Sequence, residues 1–167
     1  MKKIAKAMVI MFIMICIMII YNALVSSIVP LKVSGSSNVE NILYAMGAPE
    51  KDVPLIANAV RMASRQTDVP ENLIIALMVS ESNFDRNAVS VSGYTGLMQI
   101  PKQYDMKYID INVLVGARIF REKMYVTHGN VHKAIILYKG WGVTDEKGIY
   151  NADKVIRIYK NINDREV

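Results

Sequence analysis

Residues 71 to 82, ENLIIALMVSES, are apolar on most faces of a helix. A helix of that kind cannot sit on a surface and has to be enclosed by the rest of the chain. Asp68 ahead of Val69-Pro70 supplies an acidic cap and an early proline, a helix-start signature. The flanking segments read as its cover. From Pro54 to Gln66 the apolar residues Leu55, Ile56, Ala59, Val60, Met62 and Ala63 recur at helical spacing, with Arg61 and Arg65 among the polar positions. Ile111 to Thr127 is helical, with Val115, Ile119 and Phe120 as core candidates and a stop at Gly129. Asn130 caps a helix over Val131 to Lys139, ended by Gly140-Trp141-Gly142. Val143 to Gly148 is a polar loop, and Asn151 caps a last helix to about Ile162. A short helix fits Asn38 to Gly47, followed by a turn to Asp52. Phe84 to Gln103 has no sustained period. Gly93 and Gly96 with Ser90, Ser92 and Thr95 suggest a small hairpin ahead of Leu97-Met98-Gln99-Ile100. The fold class is all-α or strongly α-dominated.

The head of the chain is different in kind. Lys2, Lys3 and Lys6 precede an apolar run over residues 7 to 29. As a helix this run is about 35 Å long, enough for a hydrocarbon core of about 30 Å. A secretory signal core is usually about 7–15 residues with a small-x-small cleavage site. The run is longer, and its edge offers only weak sites near Ala23, Ser26 and Ser27. It therefore reads as a single-pass signal anchor in the cell membrane, with signal-peptide cleavage as the alternative. Either way the lysines stay inside and the remainder is placed on the outer, periplasmic or extracellular, face. Pro30 to Asn38, PLKVSGSSN, reads as a flexible linker.

The net charge of +5 includes those three lysines. The rest is only mildly basic and has no basic run, so nucleic acid is not an expected partner. The single cysteine, Cys16, excludes an internal disulfide and a thiolate metal cluster. His128 and His132 are four apart, but Gly129-Asn130 separates them and no nearby acid completes a ligand set. No metal and no cofactor is expected.

Glu81 carries the sharpest chemistry. It ends the enclosed helix, where apolar surroundings and the negative end of the helix dipole both favour a protonated carboxyl. Such a group can deliver its proton to a leaving oxygen. The plain alternative is a solvated glutamate at a helix end.

Around Glu81 the residues also resemble a known family. Glu81-Ser82-x-Phe84, Ala88-x-Ser90-x-x-Gly93 and Gly96-Leu97-Met98-Gln99 look like the lytic transglycosylase domain of the soluble type, related to goose-type lysozyme. Asn112-x-x-x-Gly116-Ala117 resembles the helix that follows its hairpin. Ala134-x-x-x-Tyr138-x-Gly140 and Tyr150 resemble later segments, and the likeness spans roughly residues 55 to 160. The resemblance implies a lysozyme-like domain over residues 51–167. Ahead of it stand a linker and short helix over 30–50 and the head and anchor over 1–29.

The resemblance further implies cleavage of the β-1,4 bond between N-acetylmuramic acid and N-acetylglucosamine in peptidoglycan, leaving a 1,6-anhydro sugar. Glu81 would act first as acid and then as base. Ser90, Met98, Gln99 and Tyr138 would line the sugar groove, and Tyr150 would help to orient Glu81. Phe84 and Leu97 are assigned to packing, Asp85 to a solvated or capping role, and Trp141 to core or groove rim. Tyr94 stands where the family has a small residue and Lys139 where it has asparagine. A hydrolase on the same fold, and a non-catalytic peptidoglycan-binding or scaffold module, stay open. The resemblance implies glycan strands as partner; the apolar run implies the membrane through the N-terminal helix; and a small anchored domain leaves open a place in an envelope-spanning machine or a phage assembly.

Overall fold

A computed structural model describes residues 36–104 and 108–164. The expected membrane-spanning run at 7–29 lies outside the described residues, as do the basic head and residues 30–35. Among the described residues no helix is long and apolar enough to cross a membrane.

The described residues belong to one compact unit, Ser36–Val167. Its elements are α1 (Ser36–Ala45), a 3-10 turn (Glu50–Asp52), α2 (Val53–Thr67), α3 (Glu71–Ser82), β1 (Tyr94–Thr95), β2 (Ile100–Pro101), α4 (Ile109–Val126), α5 (Val131–Tyr138) and α6 (Glu146–Asp164). The strongly α-dominated class expected from the sequence is what the structure has.

α3 is the axis. Leu73 to Met78 are all buried in sequence, as a helix apolar all round requires. Apart from Ala76, each of these side chains contributes about 1.5–3 kcal/mol on burial. α6, α2 and α1 pack against it. α1 belongs to this packing: Val39, Ile42 and Leu43 form its buried stripe. Glu40 of α1 is ion-paired with Arg61 of α2. Arg61 is therefore buried and not on the solvent face that its charge suggests.

Several boundaries and faces differ from expectation for local physical reasons. Asp68 does not start α3; it ends α2 in the left-handed conformation at φ 56° and donates its N–H to Ser64. A short polar side chain tolerates that conformation, and Pro70 holds Val69 out of helical geometry. The inner face of α4 is Asn112, Val113, Gly116, Ala117 and Phe120, so Val115 and Ile119 sit at its edge. Leu55 is 55% exposed and points out of the core. α6 starts at Glu146, five residues before Asn151. Asp145 is the cap, its Oδ1 accepting from the N–H groups of Lys147 and Gly148 at 2.8 and 3.1 Å. Asn130 caps α5 as expected, accepting from Lys133 N–H at 3.0 Å.

The hairpin is antiparallel, with Thr95 opposite Ile100. It does not precede Leu97-Met98-Gln99 but brackets them: these residues are the connection between its strands. Phe84 and Leu97 are both buried at 1% exposure. Phe84 lies at φ 63°, directly after Asn83 at φ 51°. Two consecutive left-handed residues turn the chain sharply off α3, and burial of the Phe84 ring holds the bulkier one in that conformation.

Candidate active site

The connection between the strands is clamped by three helices. Ser82 of α3 donates its hydroxyl to the Leu97 carbonyl at 2.9 Å. Asn112 of α4 accepts from Met98 N–H at 2.8 Å and donates its side-chain amide to the Thr95 carbonyl at 3.1 Å. Tyr138 of α5 donates its phenol to the Met98 carbonyl at 2.7 Å. The Met98 side chain drops into the core over Gly116, where an added Cβ would stand 2.4 Å from Met98 Cβ. Hydrogen bonds from side chains on three elements thus fix a backbone stretch that has no helix or strand of its own.

Glu81 opens from the end of α3 into a cavity of about 470 Å³. The cavity is lined by Glu81, Ser90, Ser92, Tyr94, Gln99, Tyr138, Lys139 and Gly140. Glu81 is the one carboxyl side chain in that lining. Its Oε1 is 2.7 Å from Lys139 Nζ, and Nζ is 3.3 Å from Ser80 Oγ. The Glu81 and Lys139 side chains are only 13% and 12% exposed. The sequence expectation for Glu81 counted burial and the helix end. The structure adds this ammonium, so the charge balance at Glu81 differs from that expectation.

Of the expected groove residues, Ser90, Gln99 and Tyr138 line the cavity with Glu81. Met98 does not: its side chain is wholly buried, and it serves through its backbone. Tyr150 does not line the cavity either and is 65% exposed on α6. Gln99 was expected to offer both donor and acceptor to an acetamido group. Its amide nitrogen is instead engaged with the carbonyls of Ala88 and Gly96 at 3.2 and 3.0 Å, so it props the loop. Ser90 Oγ accepts from Tyr94 N–H at 2.9 Å and shapes the turn that brings Tyr94 to the rim. Trp141 is partly exposed, and its side chain packs against Gly148 of α6. Asp85 is exposed and accepts from Asn87 N–H at 2.9 Å, a capping role as expected.

Burial first, and the Glu81 carboxylate second, push the Tyr138 phenol well above the usual tyrosine value. Tyr138 therefore stays a neutral donor to Met98 across the physiological range. Its ring meets Phe120 edge-on, with centroids 5.9 Å apart.

In the sequence Asn112 and Gly116 carry only the family likeness, which gives Asn112 no role. A polar residue on the inner face of a helix was the available signal. Lys139 departs from the family's asparagine, and its place next to Tyr138 at a helix end puts it in the groove. His132 pairs with Asp153 at 2.9 Å, and His128 sits at φ 52° beside Gly129, so the helical i,i+4 geometry is broken. A separate groove of about 420 Å³ is lined by Leu55, Met62, Tyr108 and neighbours on α2 and the start of α4, together with Arg86; it shares no lining residue with the Glu81 cavity.

Fold and site together define a helical domain with one acid set in a polar cleft. The family model described as Transglycosylase SLT domain matches residues 58–154, more than half of the chain, and the chain belongs to that family. Membership gives it a transglycosylase-type function directed at peptidoglycan, at the level of the family. No curated protein matches the chain.

Proposed function

We propose that the protein is a peptidoglycan lytic transglycosylase that cleaves the N-acetylmuramic acid β-1,4 N-acetylglucosamine bond, with Glu81 as general acid and base. The observation that carries this reading is Glu81 itself. It is the one carboxyl in a polar cavity, placed there by the buried helix and by the clamped Leu97–Gln99 turn. Most glycosidases use two carboxylates. Here the sugar's own 6-hydroxyl takes the place of the second group and of water. Glu81 gives its proton to the glycosidic oxygen as the bond from C1 breaks. The 6-hydroxyl oxygen then bonds to C1 and returns its proton to Glu81. The product is a 1,6-anhydro sugar, and no water is consumed. Ser90, Ser92, Tyr94 and Gln99 line the same cleft, a polar surface that suits an extended polar strand.

The apolar run at 7–29 supports membrane anchoring with the domain on the outer face, where the glycan lies. Attachment to an envelope-spanning machine or a phage assembly suits a small anchored domain of this kind.

The test is digestion of purified peptidoglycan by the full chain and by Glu81→Gln, with the products weighed by mass spectrometry. Anhydro products from the wild type alone support the reading. Products heavier by one water identify a hydrolase. Equal clearing by both proteins removes Glu81 as the catalyst. One observation favours a second reading, a binding module without activity: the Glu81 carboxyl is held by Lys139 at 2.7 Å.

A further inference from the structure

Lys139 is the one cation among the residues lining the cavity, and its head group is engaged with Glu81 and Ser80. Both charged side chains are nearly enclosed, at 12% and 13% exposure. An ion pair that has lost most of its water strands a charge if one partner leaves without replacement. A general acid must reach the leaving oxygen carrying a proton. While Lys139 Nζ stands 2.7 Å from Glu81 Oε1, it occupies the carboxyl oxygen that has to face the leaving oxygen. The pair therefore opposes the first chemical step for as long as it lasts. It is undone at low cost only when another anion accepts the ammonium.

The local structure allows such an exchange. Lys139 is the residue just past α5, followed by Gly140 at φ 79°. A lysine head on four methylenes can swing without moving its backbone. Its neighbour Tyr138 stays fixed by the bond to Met98. The groove thus keeps its shape while the cation moves.

We propose that Lys139 reads a carboxylate on the substrate strand, and that exchange of Glu81 for this carboxylate readies the acid. The inference rests on the transglycosylase reading above. The ligand chemistry is a glycan carboxylate near the scissile bond. It has two sources: the lactyl arm of a muramic acid that bears no peptide, and the carboxylates of an attached peptide.

The experiment uses three strands: peptide-free strands with free lactyl carboxylates, the same strands with these groups converted to methylamides, and peptide-bearing strands. Binding is measured by calorimetry with the full chain carrying Glu81→Gln, which prevents turnover. Carboxylate strands should bind roughly tenfold tighter than methylamide strands, the order expected for a partly desolvated ion pair. Adding Lys139→Met should abolish that preference, and Lys139→Arg should restore it. The source is the carboxylate strand that shows the preference. Turnover is then compared with Glu81 intact. Lys139→Met should cleave methylamide strands faster than wild type, because the restraint on the acid is gone. Equal binding of all three strands, or a preference that survives Lys139→Met, overturns carboxylate reading. Slower or equal cleavage of methylamide strands by Lys139→Met overturns the readying step. Absence of wild-type turnover on every strand overturns the transglycosylase reading and the readying step with it, while the binding arms still decide carboxylate recognition.

Discussion

Tyr138 donates its phenol to the Met98 carbonyl across 2.7 Å and so ties the end of α5 to the turn between the strands. Ser82 binds the preceding carbonyl, Leu97, from the end of α3. Lys139 then reaches back to Glu81. These contacts, with the peptide links of Glu81-Ser82, Leu97-Met98 and Tyr138-Lys139, close a ring around the acid. The acid's position is therefore set by three chain segments.

Tyr138→Phe removes one link of that ring while keeping the ring packing on Phe120. The expected loss is about 1 kcal/mol, the net value of a typical hydrogen bond. The pH dependence has a definite sign. The folded phenol titrates well above its unfolded value because of burial and the Glu81 carboxylate. The unfolded chain loses this proton first, from about pH 10. The contribution is complete below that pH and is lost as pH rises through the folded value. Urea midpoints should differ between wild type and variant at about pH 8, and the gap should narrow at about pH 11.

Asn112→Leu leaves Met98 N–H without its partner in a site where Asn112 is 2% exposed. An unsatisfied buried donor costs about 1–3 kcal/mol. Thermal unfolding should show that loss. Amide exchange at Met98 should also rise more than exchange within α3, because the turn loosens before the axis does.

The axis was legible in the sequence because burial leaves a direct signature. A helix apolar on every face has one solution, and ENLIIALMVSES shows it over a single short window. The turn was not legible in the same way. Its hold depends on Ser82, Asn112 and Tyr138, which lie on three helices and act on backbone groups, and backbone groups carry no sequence identity. Met98 illustrates the difference: the family likeness implies a groove contact, but Gly116 on α4 gives its side chain a pocket in the core. Tyr150 shows the converse, because an aromatic on an amphipathic helix does not declare its face until the helix is docked. The Glu81–Lys139 pair was hidden for a third reason: it joins residues 58 apart in the chain.

Gly116→Ala tests the pocket beneath Met98. The new methyl would stand 2.4 Å from Met98 Cβ, closer than any relaxed contact. Overpacking of this kind costs about 1–3 kcal/mol. Because the colliding atom is Cβ, a rotamer change does not relieve it, and the turn backbone has to shift. Activity on peptidoglycan should fall by more than the loss of folded protein explains, measured as kcat/KM on the folded fraction. A variant that keeps wild-type kcat/KM would show that the turn does not set the position of the acid.

Glu81→Asp keeps the charge and withdraws the carboxyl by one methylene. The helical core should be unaffected, because the Glu81 side chain faces the cavity, whereas Glu81→Gln leaves the nearly enclosed Lys139 ammonium without its anion. Displacing a reacting group by about 1 Å typically costs about a hundredfold in rate. Glu81→Gln removes the transferable proton altogether, and general acid–base catalysis is typically worth about 10²–10⁴-fold. The two variants should therefore differ: a measurable residual rate for Glu81→Asp and a deeper loss for Glu81→Gln, both taken per folded protein because Glu81→Gln, which strands the Lys139 ammonium, should melt lower. Reducing-end or anhydro-product release from purified peptidoglycan gives both rates. If Glu81→Asp and Glu81→Gln retain the same rate, proton transfer by this residue does not limit the reaction, and its role is confined to holding Lys139 and the strand.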